Sequence, residues 1–152
     1  MINFDLVEAN IHLGSAPNTQ EDIARLKQLK VSALICLQSD QDLASRNVYW
    51  PQLCGWYESS KIAYSRFPMQ DFNEQDLANN IEPVVVALNQ YLQAGHSVYV
   101  HCNSGIFRAP TAVLGYLCVV QKMSVEEAMR QLRIARPVVS PSKKAVDYLL
   151  TK

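Results

Sequence analysis

Long apolar runs are missing from this chain. The most apolar stretch, "VLGYLCVV" at 113–120, has less than half of the ~20 residues that a membrane-spanning helix needs, so no membrane association is expected. No leader is expected either: "MINFDLVEAN" has neither a basic n-region nor an apolar h-region, and a cytoplasmic protein is expected. The four cysteines at 36, 54, 102 and 118 include no C-x2-C pair, and the three histidines at 12, 96 and 101 form no ligand pattern, so no metal and no cofactor is expected. In a reducing compartment the cysteines should be free thiols, with Cys54 and Cys118 as small buried apolar residues. Net charge is absent, with 14 Lys+Arg against 14 Asp+Glu, which argues against non-specific nucleic-acid binding. No repeat, low-complexity tract or linker interrupts the sequence. A single domain over 1–152 follows, and the chain is expected to be a monomer.

What is present is an ordinary globular composition, 49% hydrophobic and 18% charged, with an uneven spread of charge. Residues 1–100 hold 6 Lys+Arg against 11 Asp+Glu, and residues 101–152 hold 8 against 3. Such asymmetry favours an anionic ligand near the second half only if folding keeps the halves apart.

The pattern alternates strands with helices. "NFDLVEANIHLGSAP" reads as two short strands closed by a turn over Gly14–Pro17. A helix capped at Asn18 or Thr19, with Glu21 closing a capping box from Asn18, should run to about Lys30. "VSALICLQ" suits a strand covered on both faces. Residues 46–61 read as helical, "IAYSRFPM" as a strand ending at Pro68, and "DFNEQDLANN" as a polar loop. A helix should start near Pro83 and stop at Gly95. "SVYVHC" is a strand and "RAPTAVLGYLCVVQ" a buried helix. Ser124 and Glu127 should cap "VEEAMRQLRIA", and a last helix should run from Ser140–Pro141 to Leu150. The prediction is an α/β domain with a mostly parallel central sheet of about five strands flanked by helices. In such sheets ligands bind beyond the carboxyl ends of the strands, which is where Cys102 falls.

"HCNSGIFRAP" at 101–110 carries the chemistry. A Cys with an Arg six residues on is a weak signal alone. The other cysteines have Asp42, Ser60 and Ser124 at that offset. A strand, a tight loop with Gly105 and then a helix from Arg108 make the layout of an anion cradle, whose backbone N–H groups and helix N-terminus both favour negative charge. These groups and the guanidinium stabilise thiolate over thiol, which points to Cys102 as a nucleophile. Asn103, Ser104, Gly105, Ile106, Phe107 and Arg108 should bind phosphate, Arg108 through two oxygens at once. The leaving oxygen needs a proton from a carboxylic acid on another loop; Asp71 is the first candidate and Asp76 the second. His101 should support the loop by bonding its backbone. Phe72, Phe107 and Tyr57 could offer flat faces to a substrate ring.

"HCNSGIFRAPT", with Asp71 about thirty residues upstream, resembles the cysteine-dependent dual-specificity phosphatases and their HCxxGxxR signature. "LGSAPNTQEDIARLKQLKVSALICLQSDQDL", "QDFNEQDL" and "MSVEEAMRQLRIARPVVSPSKKAV" extend the resemblance to the catalytic domain of plant glucan phosphatases, laforin being a more distant relative. It implies a protein-tyrosine-phosphatase-like fold, Cys102 as nucleophile, Arg108 as phosphate binder and Asp71 as acid, acting on phosphotyrosine and phosphoserine/threonine proteins or on phosphoglucan. It also implies Cys36, in "CLQ", as a possible redox partner of Cys102. Ser104 and Phe107 stand where the glucan group usually has Ala and Gly, and Ala109 replaces the Ser or Thr common after the Arg. The loop lacks the basic residues of inositide-lipid phosphatases. A phosphate-binding module without turnover, and a sulfur-transfer or arsenate-reducing protein, are the competing classes.

Overall fold

Five strands and seven helices alternate along residues 1–152, all of which the structure, a computed structural model, describes. They are β1 (Phe4–Glu8), β2 (Ile11–Gly14), α1 (Gln20–Gln28), β3 (Ala33–Cys36), α2 (Asp40–Ser45), α3 (Trp50–Ser59), β4 (Ala63–Arg66), α4 (Glu74–Gln93), β5 (Val98–His101), α5 (Arg108–Val119), α6 (Val125–Ala135) and α7 (Lys143–Leu150). The strands form one sheet in the order β1-β2-β5-β3-β4. Only β1 runs antiparallel to its neighbour; β2, β5, β3 and β4 pair in parallel. The domain is α/β and mostly parallel, as the alternation predicts.

The two central strands, "ALIC" and "VYVH", are buried throughout, because helices cover both faces. One face packs Leu13, Ile35 and Val100 against α4, α5, α6 and α7. The other packs Leu34 and Tyr99 against Ile23 and Leu26 of α1 and Leu53 and Tyr57 of α3. Helix α5 is buried from Arg108 to Cys118, which explains its almost wholly apolar sequence.

Three details differ from the sequence expectation. Helix α4 begins at Glu74, capped by Asn73, and carries Pro83 in its interior. Buried Leu77, Ala78, Ile81, Val84, Val85 and Leu88 form one continuous face across the proline, so tertiary burial outweighs the helix-breaking preference. Pro83 lies on the exposed side, and so does Asn79, whose carbonyl loses its intrahelical donor. Helix α1 is capped by Thr19 with Asp22 completing the box, not by Asn18 with Glu21. Helix α2 is an element that the pattern does not predict; Ser39 and Asp42 form a complete capping box at its start. Of the cysteines, all four are free, Cys118 is buried and Cys54 is only half-buried. No helix is long and apolar enough to cross a membrane.

Candidate active site

Strand β5 delivers Cys102 to the carboxyl edge of the sheet, and residues 102–107 turn from it into α5. The turn needs glycine at two contacting positions. Gly105 has φ +70°, and a Cβ on it would lie 2.6 Å from the carbonyl carbon and oxygen of Gly14. A Cβ on Gly14 would in turn lie 2.5 Å from the Asn3 carbonyl oxygen. The loop therefore stacks backbone on backbone against the end of β2.

Every carbonyl from 102 to 107 is held by a protein donor. His101 Nδ1 lies 3.0 Å from the Cys102 oxygen, and Ala16 N–H donates to Asn103 at 3.0 Å. Arg136 donates to Ser104 through Nη2 and to Gly105 through Nε, both at 3.0 Å. Ser140 N–H donates to Ile106 at 2.7 Å, and the Thr111 hydroxyl to Phe107 at 2.7 Å. In a trans peptide each carbonyl is antiparallel to the next residue's N–H, and no cis bond is present. The amides that follow these carbonyls thus turn the opposite way. None of the N–H groups of 103–107 donates to a backbone acceptor. A loop with anchored carbonyls and unpaired amides, at a helix N-terminus, is built to receive an anion.

Arg108 lies fully buried at the head of α5. Its Nη1 donates to Asp42 Oδ2 at 2.7 Å, Met69 O at 2.8 Å and Leu37 O at 3.3 Å. Its Nε and Nη2 make no hydrogen bond, although Nη2 lies 3.2 Å from Asp71 Oδ2. Nε–H and Nη2–H form one edge of the planar fork, the geometry that matches two phosphate oxygens. Burial of a cation at a helix N-terminus is electrostatically unfavourable; here two carboxylates offset it.

The structure brings Asp71 to Arg108 and keeps Asp76 away. Asp76 accepts from the Gln70 N–H at 2.9 Å and from Asn80, holding the start of α4. Asp71 also lies 3.5 Å from Asn103 Nδ2. His101 is buried, and burial pushes its imidazole down to about 4, with the bond to Cys102 O acting the other way. It is neutral at pH 7 and supports the loop through Nδ1. Cys36 ends β3, in register with His101 of β5, and lies 3.6 Å from Gln38 Oε1. Burial pushes its thiol up to about 12. Of the three aromatic candidates, Tyr57 is wholly buried in the core beneath α3, so it cannot meet a substrate. Phe107 is partly buried against the core. Phe72 is 88% exposed and has φ 58°, a left-handed conformation that costs a non-glycine residue about 1–2 kcal/mol.

Two residues of the site escaped the sequence reading. Asp42 accepts from Arg108 and also from Asn103 Nδ2 at 3.0 Å. Arg136, 2% exposed, adds Asp5 at 2.9 Å to its two loop carbonyls. Asp42 had a local signal, the Ser39-x-x-Asp42 capping pattern; Arg136, just past the end of "VEEAMRQLRIA", had none.

A cysteine and an arginine set on one amide-lined turn after a central parallel strand define a cysteine-based phosphate-handling α/β domain. The family model described as the dual specificity phosphatase catalytic domain matches residues 11–152. Phosphoglucan phosphatase DSP4, amyloplastic, of Castanea sativa is 31% identical over 99% of this chain and 41% of its own length. Laforin of Mus musculus is 27% identical over 91% of this chain and 45% of its own. Among solved structures, PTPMT1 in complex with PI(5)P superposes with TM-score 0.81 at 22% identity, covering 96% of this chain and 91% of that one. Human DUSP28 superposes with TM-score 0.73 at 23% identity, covering 97% and 90%. The chain belongs to the dual specificity phosphatase family. It spans less than half the length of the two curated relatives named.

Proposed function

We propose that this chain hydrolyses phosphomonoesters through a phosphocysteine intermediate. The observation that carries the reading is the loop 102–107, whose carbonyls are all anchored while the N–H groups of 103–107 stay unpaired. The Cys102 thiolate attacks phosphorus in line, the P–O bond to the leaving group breaks, and Asp71 gives its proton to the departing oxygen. The amides of 103–107 and the Nε–Nη2 edge of Arg108 hold the equatorial oxygens as charge redistributes. Water then attacks the phosphocysteine, losing a proton to Asp71 and releasing phosphate and the thiolate. Thiolate chemistry and four free thiols suit a reducing compartment such as the cytoplasm.

Phosphotyrosine and phosphoserine/threonine proteins are the first substrate reading. The exposure of Phe72, next to Asp71, supports this reading, since its ring is free to meet the group that carries the phosphate. Phosphoglucan is the second, favoured by the 31% identity to a phosphoglucan phosphatase across nearly the whole chain. Hydrolysis of an aryl phosphate tests the reaction. Wild type should turn over, Cys102→Ser should not, and Asp71→Ala should lose roughly 100-fold in kcat; equal activity in wild type and Cys102→Ser would overturn the mechanism. Phosphate release from phosphopeptides against amylopectin then separates the two substrates.

Cys36 is proposed as a slow redox partner. Peroxide would convert the Cys102 thiolate to a sulfenic acid, and Cys36 would displace water from it to leave a disulfide. A thiol near 12 is mostly protonated at neutral pH, so the lock should form slowly. Mild peroxide should inactivate the enzyme and added thiol restore it. Unchanged redox sensitivity in Cys36→Ser would remove the idea.

A further inference from the structure

Arg108 is hydrogen-bonded through one nitrogen only. Nη1 meets three acceptors, from the ends of β3 and β4 and from α2, while Nε and Nη2 make no hydrogen bond and Nη2 has only the Asp71 carboxylate nearby, at 3.2 Å. Two of those acceptors are backbone carbonyls. The third, and the nearest, is the Asp42 carboxylate. Its other contacts tie three segments together. Oδ2 also accepts from Ser39 N–H at 2.9 Å, within the capping box of α2. Oδ1 accepts from Asn103 Nδ2 at 3.0 Å. The polarity continues backwards: Gln38 Nε2 donates to Asn103 Oδ1 at 2.9 Å, which leaves Asn103 with only N–H groups to turn toward the carboxylates.

We infer that Asp42 is a positioning residue for the phosphate clamp, locking Arg108 so that only its Nε–Nη2 edge can face the substrate and locking Asn103 as a donor at the mouth of the loop. Attraction for the substrate does not explain a carboxylate at this place. A fixed negative charge 2.7 Å from Arg108 weakens its pull on an anion. What Asp42 supplies instead is orientation, which matters for the transition state more than for ground-state binding. Burial works against its charge, yet the hydrogen bonds from Arg108, Ser39 and Asn103 outweigh that and bring the carboxyl down to about 2. Asp42 thus stays ionised and cannot trade places with Asp71 as proton donor at neutral pH.

This role rests on the phosphatase reading, and the two can be tested apart. Asp42→Asn keeps the shape and removes the charge; Asp42→Ala removes both; Ser39→Ala removes a cap bond of α2 without touching Arg108. For each, kcat on an aryl phosphate, the Kd of tungstate as a non-covalent oxyanion, and the thermal midpoint are measured on the full chain. Both Asp42 variants should lose at least tenfold in kcat while tungstate Kd stays within threefold or tightens. Ser39→Ala should lower the midpoint and keep kcat. A kcat within threefold of wild type in Asp42→Asn overturns the inference. So does a tungstate Kd that rises as far as kcat falls, or a Ser39→Ala that loses kcat as the Asp42 variants do. Wild type without turnover overturns the phosphatase reading as well; active wild type with unaffected Asp42 variants overturns this role alone.

Discussion

Two buried arginines stand at the same loop, one bonded to its carbonyls and one following it at the head of α5, and they differ in how completely they are satisfied. Arg136 gives Nε, Nη1 and Nη2 to Gly105 O, Asp5 and Ser104 O. Arg108 has an equal number of acceptors, but all of them sit on Nη1, and its Nε and Nη2 remain without hydrogen bonds. A buried polar group that is fully paired belongs to the architecture, whereas one left unpaired carries a cost that something else must offset. The Asp42 and Asp71 carboxylates offset the charge of Arg108, and under the proposed function a substrate oxyanion takes up the unpaired N–H groups. Arg136 holds two loop carbonyls so that the amides after them turn the other way; in the proposed mechanism Arg108 presents its Nε–Nη2 edge to the anion that those amides receive.

The comparison breaks most visibly at Arg108. Arg108→Lys keeps the charge and removes the fork, so kcat/KM on an aryl phosphate should fall roughly 1,000-fold with the fold intact by circular dichroism. A loss under tenfold would mean that the open edge does not meet substrate. Arg136→Met should act the other way round. It strands two loop carbonyls and removes a buried cation, so the free energy of unfolding should drop by about 3 kcal/mol in urea titration. Full stability with abolished turnover would show Arg136 to be a second clamp rather than a scaffold.

The same contrast explains what was legible in the sequence. Cys102, Gly105 and Arg108 lie within seven residues, so local spacing displays them, and Asp71 follows the strand that carries it to the sheet edge. Arg136 and Asp42 reach the loop across 31 and 61 residues of sequence, and only tertiary packing brings them there. Tyr57 misled for a related reason: an aromatic near a proposed site reads as a ligand face, yet Leu53 and Tyr57 are four apart on α3 and turn inward together. Helix α4 shows the same override, with its buried stripe running through Pro83.

Below pH 6.5 the folded state should lose stability through the buried histidine of the loop. His101 binds Cys102 O beside both arginine contacts, and its imidazole is pushed from 6.5 down to about 4, by burial first. The unfolded chain therefore takes up a proton before the folded one does, so stability is complete above pH 6.5 and declines as pH falls toward 4. His12, also lowered by burial, slopes the same way. The His101 contribution should amount to about 2 kcal/mol by pH 5, read as a shift of the urea midpoint between pH 7.5 and 5. Asp42 stays outside this window, because its folded value near 2 places its loss below pH 4. His101→Asn should flatten the slope between pH 7.5 and 5, and an unchanged slope would assign it elsewhere.

The smallest effect should come from the counter-ion of the satisfied arginine. Asp5 meets Arg136 Nη1 at 2.9 Å, but its side chain is 41% exposed. Water can replace it, and solvent screens the pair, so Asp5→Asn should cost under about 1 kcal/mol. The amide oxygen introduced by that change can still accept from Arg136, while Ser104 O and Gly105 O keep their donors, so the loop should hold its shape. The expected readout is a thermal midpoint lowered by less than about 4 °C and kcat within twofold of wild type. The contrast is with Asp42, the carboxylate on the other arginine, whose side chain is 13% exposed. If Asp5→Asn lowered kcat tenfold without moving the midpoint, the two arginines would be doing the same job, and the division between scaffold and clamp would be wrong.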